Sequence, residues 1–66
     1  MENEDYNLKR AKHMESIADE HLKLKEYDKA IKLYKDAFNN YKIAKDKESA
    51  LRVASKFDQC KNQLIH

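Results

Sequence analysis

The chain has 66 residues, with 14 basic and 12 acidic side chains, and it contains neither glycine nor proline. A chain of this length forms one small domain at most. The missing turn residues argue against sheet folds built from hairpins and favour helices joined by short polar turns. Basic and acidic residues alternate, so no basic patch suited to nucleic acid is expected. No apolar run approaches the roughly 20 residues of a membrane span.

The first segment is polar and then becomes periodic. Residues 1–5 are expected to form a flexible N-terminus. Apolar residues then recur at every third or fourth position, which predicts a first helix over residues 6–24. Asp5 or Asn7 is expected to cap this helix. His21 falls on the apolar face and is interpreted as a packed side chain rather than a metal ligand.

The most regular stretch reads YDKAIKLYKDAF and starts a predicted second helix over residues 27–44. Its apolar side chains share one helical face: Tyr27, Ala30, Ile31, Tyr34, Ala37 and Phe38. A small side chain beside an aromatic ring lets a neighbouring helix approach closely while the ring fills the adjacent gap. We therefore expect Ala30, Tyr34 and Ala37 to be packed between the first and third helices.

A third helix is predicted over residues 47–65, with Asp46 as its N-cap. Its expected core face includes Cys60 and Leu64. Cys60 is interpreted as a small buried hydrophobe, and a single cysteine forms no internal disulfide, which fits a reducing compartment. The three segments predict an all-α fold, an antiparallel three-helix bundle with one core over residues 8–64.

Catalytic and metal-binding patterns are absent from the sequence. The histidines His13, His21 and His66 have no partner at a metal-ligand spacing, and no glycine is present for a phosphate-binding loop. A chain this small also has little material to enclose an active site. We expect no enzymatic activity, no cofactor and no metal site.

The alanine and aromatic spacing resembles a known repeat. Ala18, Ala30, Tyr34 and Ala37 occupy positions similar to the small and aromatic positions of one tetratricopeptide repeat (TPR). Lys42 stands where that repeat has its closing proline, and the second helix continues past it.

This longer form resembles the MIT (microtubule interacting and trafficking) domain, a TPR-like bundle with a long third helix. The matching positions in the second helix are Tyr27, Ala30, Ile31, Tyr34, Ala37, Phe38 and Tyr41, and those in the third are Lys47, Ala50, Leu51, Arg52, Lys56 and Phe57. The arginine–acid pair that is usual near the end of the third helix is replaced by Asn62 and Gln63.

The resemblance implies a docking function. MIT domains bind short motifs, most often ESCRT-III subunit tails, as a helix between helices two and three or as an extended chain between helices one and three. It further implies a monomeric domain of a larger cytoplasmic protein, recruited to endosomal or autophagic membranes through its protein partner.

Two flanking stripes are predicted to line the groove between the second and third helices. They comprise Leu33, Asn40 and Ile43 on the second helix and Leu51, Ser55, Asp58, Asn62 and Ile65 on the third. Asp58 is a candidate partner for a basic ligand residue. The alternative interpretation is that the apolar members of these stripes only widen the edge of the core and that Asp58 is an ordinary solvated charge.

Two other functions stay open at this point. In the first alternative, the helices form a TPR-like structural or assembly module, for example in an autophagy lipid-kinase complex, without a peptide groove. Alternatively, basic residues bind a membrane surface, namely Lys9, Arg10, Lys12, Lys23 and Lys25.

Overall fold

The computed structural model describes residues 3–65, with side chains for residues 5–64. Three α-helices follow one another: α1 (Asn3–Lys23), α2 (Tyr27–Ile43) and α3 (Lys47–Ile65). The described residues contain no strand. The predicted all-α three-helix bundle is therefore confirmed, and the predicted bounds of the second and third helices agree with the structure to within one residue.

The N-terminal prediction was wrong in its boundary. Helix α1 begins at Asn3 rather than at residue 6, so Asp5 and Asn7 lie inside the helix and do not cap it. No glycine or proline interrupts this segment, and an acidic residue such as Asp5 is favourable near a helix N-terminus. Residues 1 and 2 of the predicted flexible segment lie outside the described residues.

The α1–α2 turn closes without glycine. Lys25 adopts a left-handed conformation with φ of 61°. The amide of Lys25 donates to the Leu22 carbonyl at 2.9 Å, and the amide of Glu26 donates to the His21 carbonyl at 2.9 Å. These two bonds form a Schellman motif, which satisfies carbonyls that the helix end leaves without partners.

The α2–α3 turn repeats this geometry and adds an N-cap. Lys45 has φ of 63°, and the amide of Asp46 donates to the Tyr41 carbonyl at 2.9 Å. The Asp46 carboxylate then accepts a hydrogen bond from the Ser49 amide at 3.2 Å. The Ser49 side chain and then this amide lower the pKa of Asp46. The prediction that Asp46 caps the third helix is confirmed.

Helix α2 lies at the centre of the bundle. It packs along both neighbours, whereas the backbones of α1 and α3 approach each other at very few positions. Turns this short make consecutive helices antiparallel. The contacts agree, because the Tyr34 hydroxyl reaches Asp19 while the Tyr41 hydroxyl reaches Glu15, so α1 and α2 run in opposite directions.

The core consists mainly of small side chains around two aromatic rings. Tyr34 and Tyr41 are buried, as are Val53 and Cys60. Among residues 5–64, the remaining buried apolar residues are all alanines: Ala11, Ala18, Ala30, Ala37 and Ala50. Alanine at these positions lets the helices approach closely, and the tyrosine rings fill the space between them. The predicted burial of Ala30, Tyr34, Ala37 and Cys60 is confirmed.

Two leucines lie on the surface, and one of them, Leu64, was assigned to the core. Leu24 is 67% exposed because α1 ends at Lys23 and the turn directs the next residue away from the helical stripe. Leu64 is 52% exposed and lies in the last turn of α3, opposite the start of α2.

Candidate functional site

An apolar groove runs between α2 and α3 on the side away from α1. It consists of two adjoining cavities of about 440 Å³ and 360 Å³ that share the side chain of Phe38. The larger cavity lies at the α2–α3 turn and is lined by Phe38, Lys42, Lys45, Asp46, Lys47, Ala50 and Leu51. The smaller cavity is lined by Lys35, Phe38, Asn39, Ala54, Phe57 and Asp58.

The groove exists because large side chains on α2 face small ones on α3. Ala50 and Ala54 lie opposite Phe38 and leave space on both sides of its ring. Phe38 and Phe57 are only partly buried, although both pack against the core. The groove floor is therefore apolar and open to a ligand.

The rim of the groove carries one exposed aliphatic side chain and several charges. Leu51 is 71% exposed, which is the largest exposed fraction among the large apolar residues whose side chains are described. The ammonium of Lys42 lies 5.4 Å from the centroid of the Phe38 ring, and that of Lys61 lies 5.7 Å from the centroid of Phe57. Lysine side chains thus border the exposed aromatic faces through cation–π contacts.

The structure brings only part of the predicted groove residues together. Leu51 and Asp58 line the groove. Ser55 and Asn62 are exposed and lie outside both cavities. The side chain of Ile65 lies outside the described residues.

The three groove residues predicted on α2 lie on other faces of that helix. Leu33, Asn40 and Ile43 line neither cavity. At about 100° per residue, Leu33 and Asn40 are rotated by about 140° and 160° from Phe38 around the helix axis. Leu33 instead packs at the edge of the core, and the Asn40 side chain donates to the Asp36 carbonyl at 2.8 Å. The sequence shows that α2 has apolar residues on both sides of its buried face. It does not show which of the two sides borders the groove with α3.

The opposite seam, between α1 and α3, is bridged by ion pairs and has an open polar cavity of about 590 Å³ beside them, lined in part by Glu15 and Arg52. Glu15 is only 7% exposed. Its carboxylate accepts two hydrogen bonds from the Arg52 guanidinium at 2.8 and 2.9 Å, one from the Lys56 ammonium at 2.9 Å and one from the Tyr41 hydroxyl at 2.7 Å. Lys56 also donates to Asp19 at 3.1 Å. These side chains join α1 to both α2 and α3, and we call them the Glu15 cluster: Glu15, Asp19, Tyr34, Tyr41, Arg52 and Lys56.

The ionisation of the cluster follows from these contacts. The Arg52 hydrogen bonds, helped by Lys56 and Tyr41 and opposed by burial, lower the pKa of Glu15 to about 2. Burial and the hydrogen bond to Glu15 raise the pKa of Tyr41 to about 12. Burial and the hydrogen bond to Asp19 raise the pKa of Tyr34 in the same way. Burial opposes the charge on Lys56, but its bonds to Glu15 and Asp19 outweigh that effect and raise the pKa.

Sequence reasoning missed this cluster, although a signal for it exists. Glu15 lies four residues after Ala11 and three before Ala18, on the stripe that both alanines bury. A carboxylate on a buried stripe requires a charged or hydrogen-bonding partner, because an unpaired buried charge is costly. The partners Arg52 and Lys56 were noted only as positions of a family pattern.

Comparison of the chain with models of protein families, with curated proteins and with solved structures finds no match. None of the helices in the described part of the chain is both long and apolar enough to cross a membrane.

Proposed function

We propose that this chain is a protein docking module whose α2–α3 groove binds a short amphipathic helix of a partner. The observation that carries the proposal is the pair of apolar cavities on the two sides of Phe38. A docked helix uses its apolar face in this way, with anchors that enter pockets and polar residues that stay at the rim.

The dimensions of the groove suit helical anchors. Ala50 belongs to one cavity and Ala54 to the other, and they are separated by one turn of α3, about 6 Å along the axis. Two apolar ligand side chains at positions i and i+4 have the same separation, so one enters each cavity.

The α1–α3 seam is a poorer site for an extended ligand. The Glu15 cluster bridges it, and an entering strand that displaced Arg52 or Lys56 would leave the nearly buried Glu15 carboxylate without those partners. Removing one partner of such a pair is strongly unfavourable. We therefore place the ligand in the α2–α3 groove and give it helical form.

The resemblance to MIT domains supports a partner class. The alanine–aromatic pattern from Tyr27 to Tyr41, which supplies the central helix of the bundle, is the feature that resembles the family. We propose ESCRT-III subunit tails as ligands and recruitment of a larger protein to endosomal or autophagic membranes as the purpose of binding. A groove this small implies micromolar affinity, about −8 kcal/mol.

The proposal is tested by titrating the labelled protein with ESCRT-III tail peptides and mapping the amide chemical shifts. Shifts are expected around Phe38, Ala50, Leu51 and Ala54. Leu51→Asp is expected to weaken binding at least about tenfold, because it places a charge at the mouth of the apolar cavity. Leu24→Asp is the matched control, since Leu24 is 67% exposed and Leu51 71%, but Leu24 lines neither cavity.

Other results would contradict the proposal. Shifts confined to the α1 surface, or none with any peptide at millimolar concentration, would exclude the groove as the docking site. A stable dimer that protects Leu51 in light-scattering and exchange experiments would instead favour the structural or assembly role.

A further inference from the structure

The charges around the groove are unevenly distributed. The cavity at the α2–α3 turn is bordered by Lys42, Lys45 and Lys47, with Asp46 as its one carboxylate. That carboxylate already accepts the Ser49 amide as the N-cap of α3. The other cavity is lined by one lysine, Lys35, and one carboxylate, Asp58, and Lys61 lies over its Phe57 ring. The excess of basic over acidic side chains is therefore larger at the α2–α3 turn than at the other end of the groove.

Two of these lysines have their charge available to a ligand. Among the described residues, neither Lys42 nor Lys47 forms a salt bridge, and both side chains are exposed. The Lys42 ammonium lies over the Phe38 ring and is thereby held at the mouth of the cavity. In contrast, Arg52 and Lys56 on the other side of α3 are already paired with carboxylates.

We infer that the partner is an acidic amphipathic helix whose carboxylate-bearing end lies against Lys42 and Lys47. This inference rests on the proposed docking function and specifies the chemistry of the ligand. The apolar anchors at i and i+4 of the ligand enter the two cavities. One anchor lies nearer the α2–α3 turn, and one or two Asp or Glu residues lie one helical turn beyond it, where they contact the lysines. Charges at the rim of an interface select partners and fix the register of binding.

The inference predicts the effect of ligand charge. Three peptides share the same leucine anchors. They differ at two positions one helical turn beyond the anchor that enters the cavity at the α2–α3 turn, where they carry Glu, Gln or Lys. In fluorescence anisotropy at low salt, the Glu peptide is expected to bind about threefold to fivefold more tightly than the Gln peptide, and the Lys peptide more weakly still. The preference is expected to shrink at 1 M salt, where the screening length is about 3 Å.

Charge reversal on the protein identifies the residues responsible. Lys47→Glu lies in the first turn of α3, where an acidic side chain is favourable, so the fold is expected to be retained. This variant is expected to lose the preference for the Glu peptide and to bind the Lys peptide more tightly than the wild type does. Lys42→Glu is expected to act in the same direction. Lys29→Glu is the control, because Lys29 is exposed on α2 and lines neither cavity.

The outcomes separate the two proposals. If the three peptides bind equally and the lysine variants change nothing, the charge preference is wrong while the docking groove stands. If no peptide binds, both proposals are wrong. A third outcome is that the wild type binds no peptide but sediments with anionic vesicles, and that Lys47→Glu does not sediment with them. This result would overturn the inference and would indicate a membrane surface as the partner.

Discussion

At the scale of single residues, the two turns are unusual because lysine occupies the left-handed position. Lys25 and Lys45 have φ of 61° and 63°. Glycine is common at such positions, since a side chain there costs roughly 1–2 kcal/mol. The chain accepts this cost at both turns, and the hydrogen bonds of the Schellman geometry offset part of it.

Lys25→Gly is therefore expected to stabilise the protein by about 1 kcal/mol, because it removes the steric cost of a left-handed lysine. For a domain of this size the melting temperature should rise by about 4–8 °C, measured by circular dichroism. Lys32→Gly, an exposed substitution inside α2, is the control and should lower the melting temperature by a similar amount. A Lys25→Gly protein that melts no higher than the wild type would contradict the expectation.

Residue patterns predicted the apolar core better than they predicted the polar contacts between helices. Periodicity was sufficient to assign Tyr34, Ala37 and Cys60 to the interior, because apolar burial repeats with the helix. It did not reveal that Glu15 pairs with Arg52, since these residues are 37 positions apart and one sequence carries no information on which distant charges meet. The same limit applies to Phe38, which was assigned to the core although its ring also separates the two groove cavities.

At the scale of elements, α2 determines the spacing of the bundle. Its buried residues are Ala30, Tyr34, Ala37 and Tyr41. The alanines leave room for α1 and α3 to approach, and the tyrosines fill the seam where those helices meet. The prediction of this helix was accurate because its apolar period is strict. The prediction of which α2 residues line the groove was wrong, because apolar residues lie on both sides of the buried face of this helix.

Ala30→Leu tests this packing directly. Ala30 is completely buried, so the larger side chain is expected to overpack the interior and to destabilise the fold by about 1–3 kcal/mol. Lys29→Leu adds a leucine at the neighbouring exposed position and is expected to change stability by less than about 0.5 kcal/mol. Urea unfolding curves of both variants give the comparison. Equal midpoints would show that position 30 is not tightly packed.

At the scale of the whole molecule, the Glu15 cluster connects the first helix to the last. The backbones of α1 and α3 hardly meet, so their association depends on side chains that reach across the seam. Because the pKa of Glu15 falls from 4.5 to about 2, the folded state binds its proton less readily than the unfolded chain. Glu15 therefore contributes stability above pH 4.5, and this contribution is lost as the pH falls towards 2.

Acid titration of the stability is the corresponding experiment. Between pH 5 and 2 the wild type is expected to lose about 3 kcal/mol through Glu15, in addition to a background from other carboxylates. Glu15→Gln is expected to be much less stable than the wild type at pH 7, and the two free energies of unfolding should converge near pH 2. Glu20→Gln is the control, because the Glu20 side chain is 71% exposed. Parallel curves for the wild type and Glu15→Gln would contradict the assignment.

The arrangement of the helices also has a consequence for how fast the chain folds. Each turn is three residues long, and most packing joins helices that are consecutive in sequence. Topologies dominated by such local contacts fold in microseconds to milliseconds, since little loop entropy is lost before contacts form. The pairs of Glu15 with Arg52 and of Asp19 with Lys56 each span 37 positions. We expect the seam between α1 and α3 to be completed last, after each helical hairpin has formed.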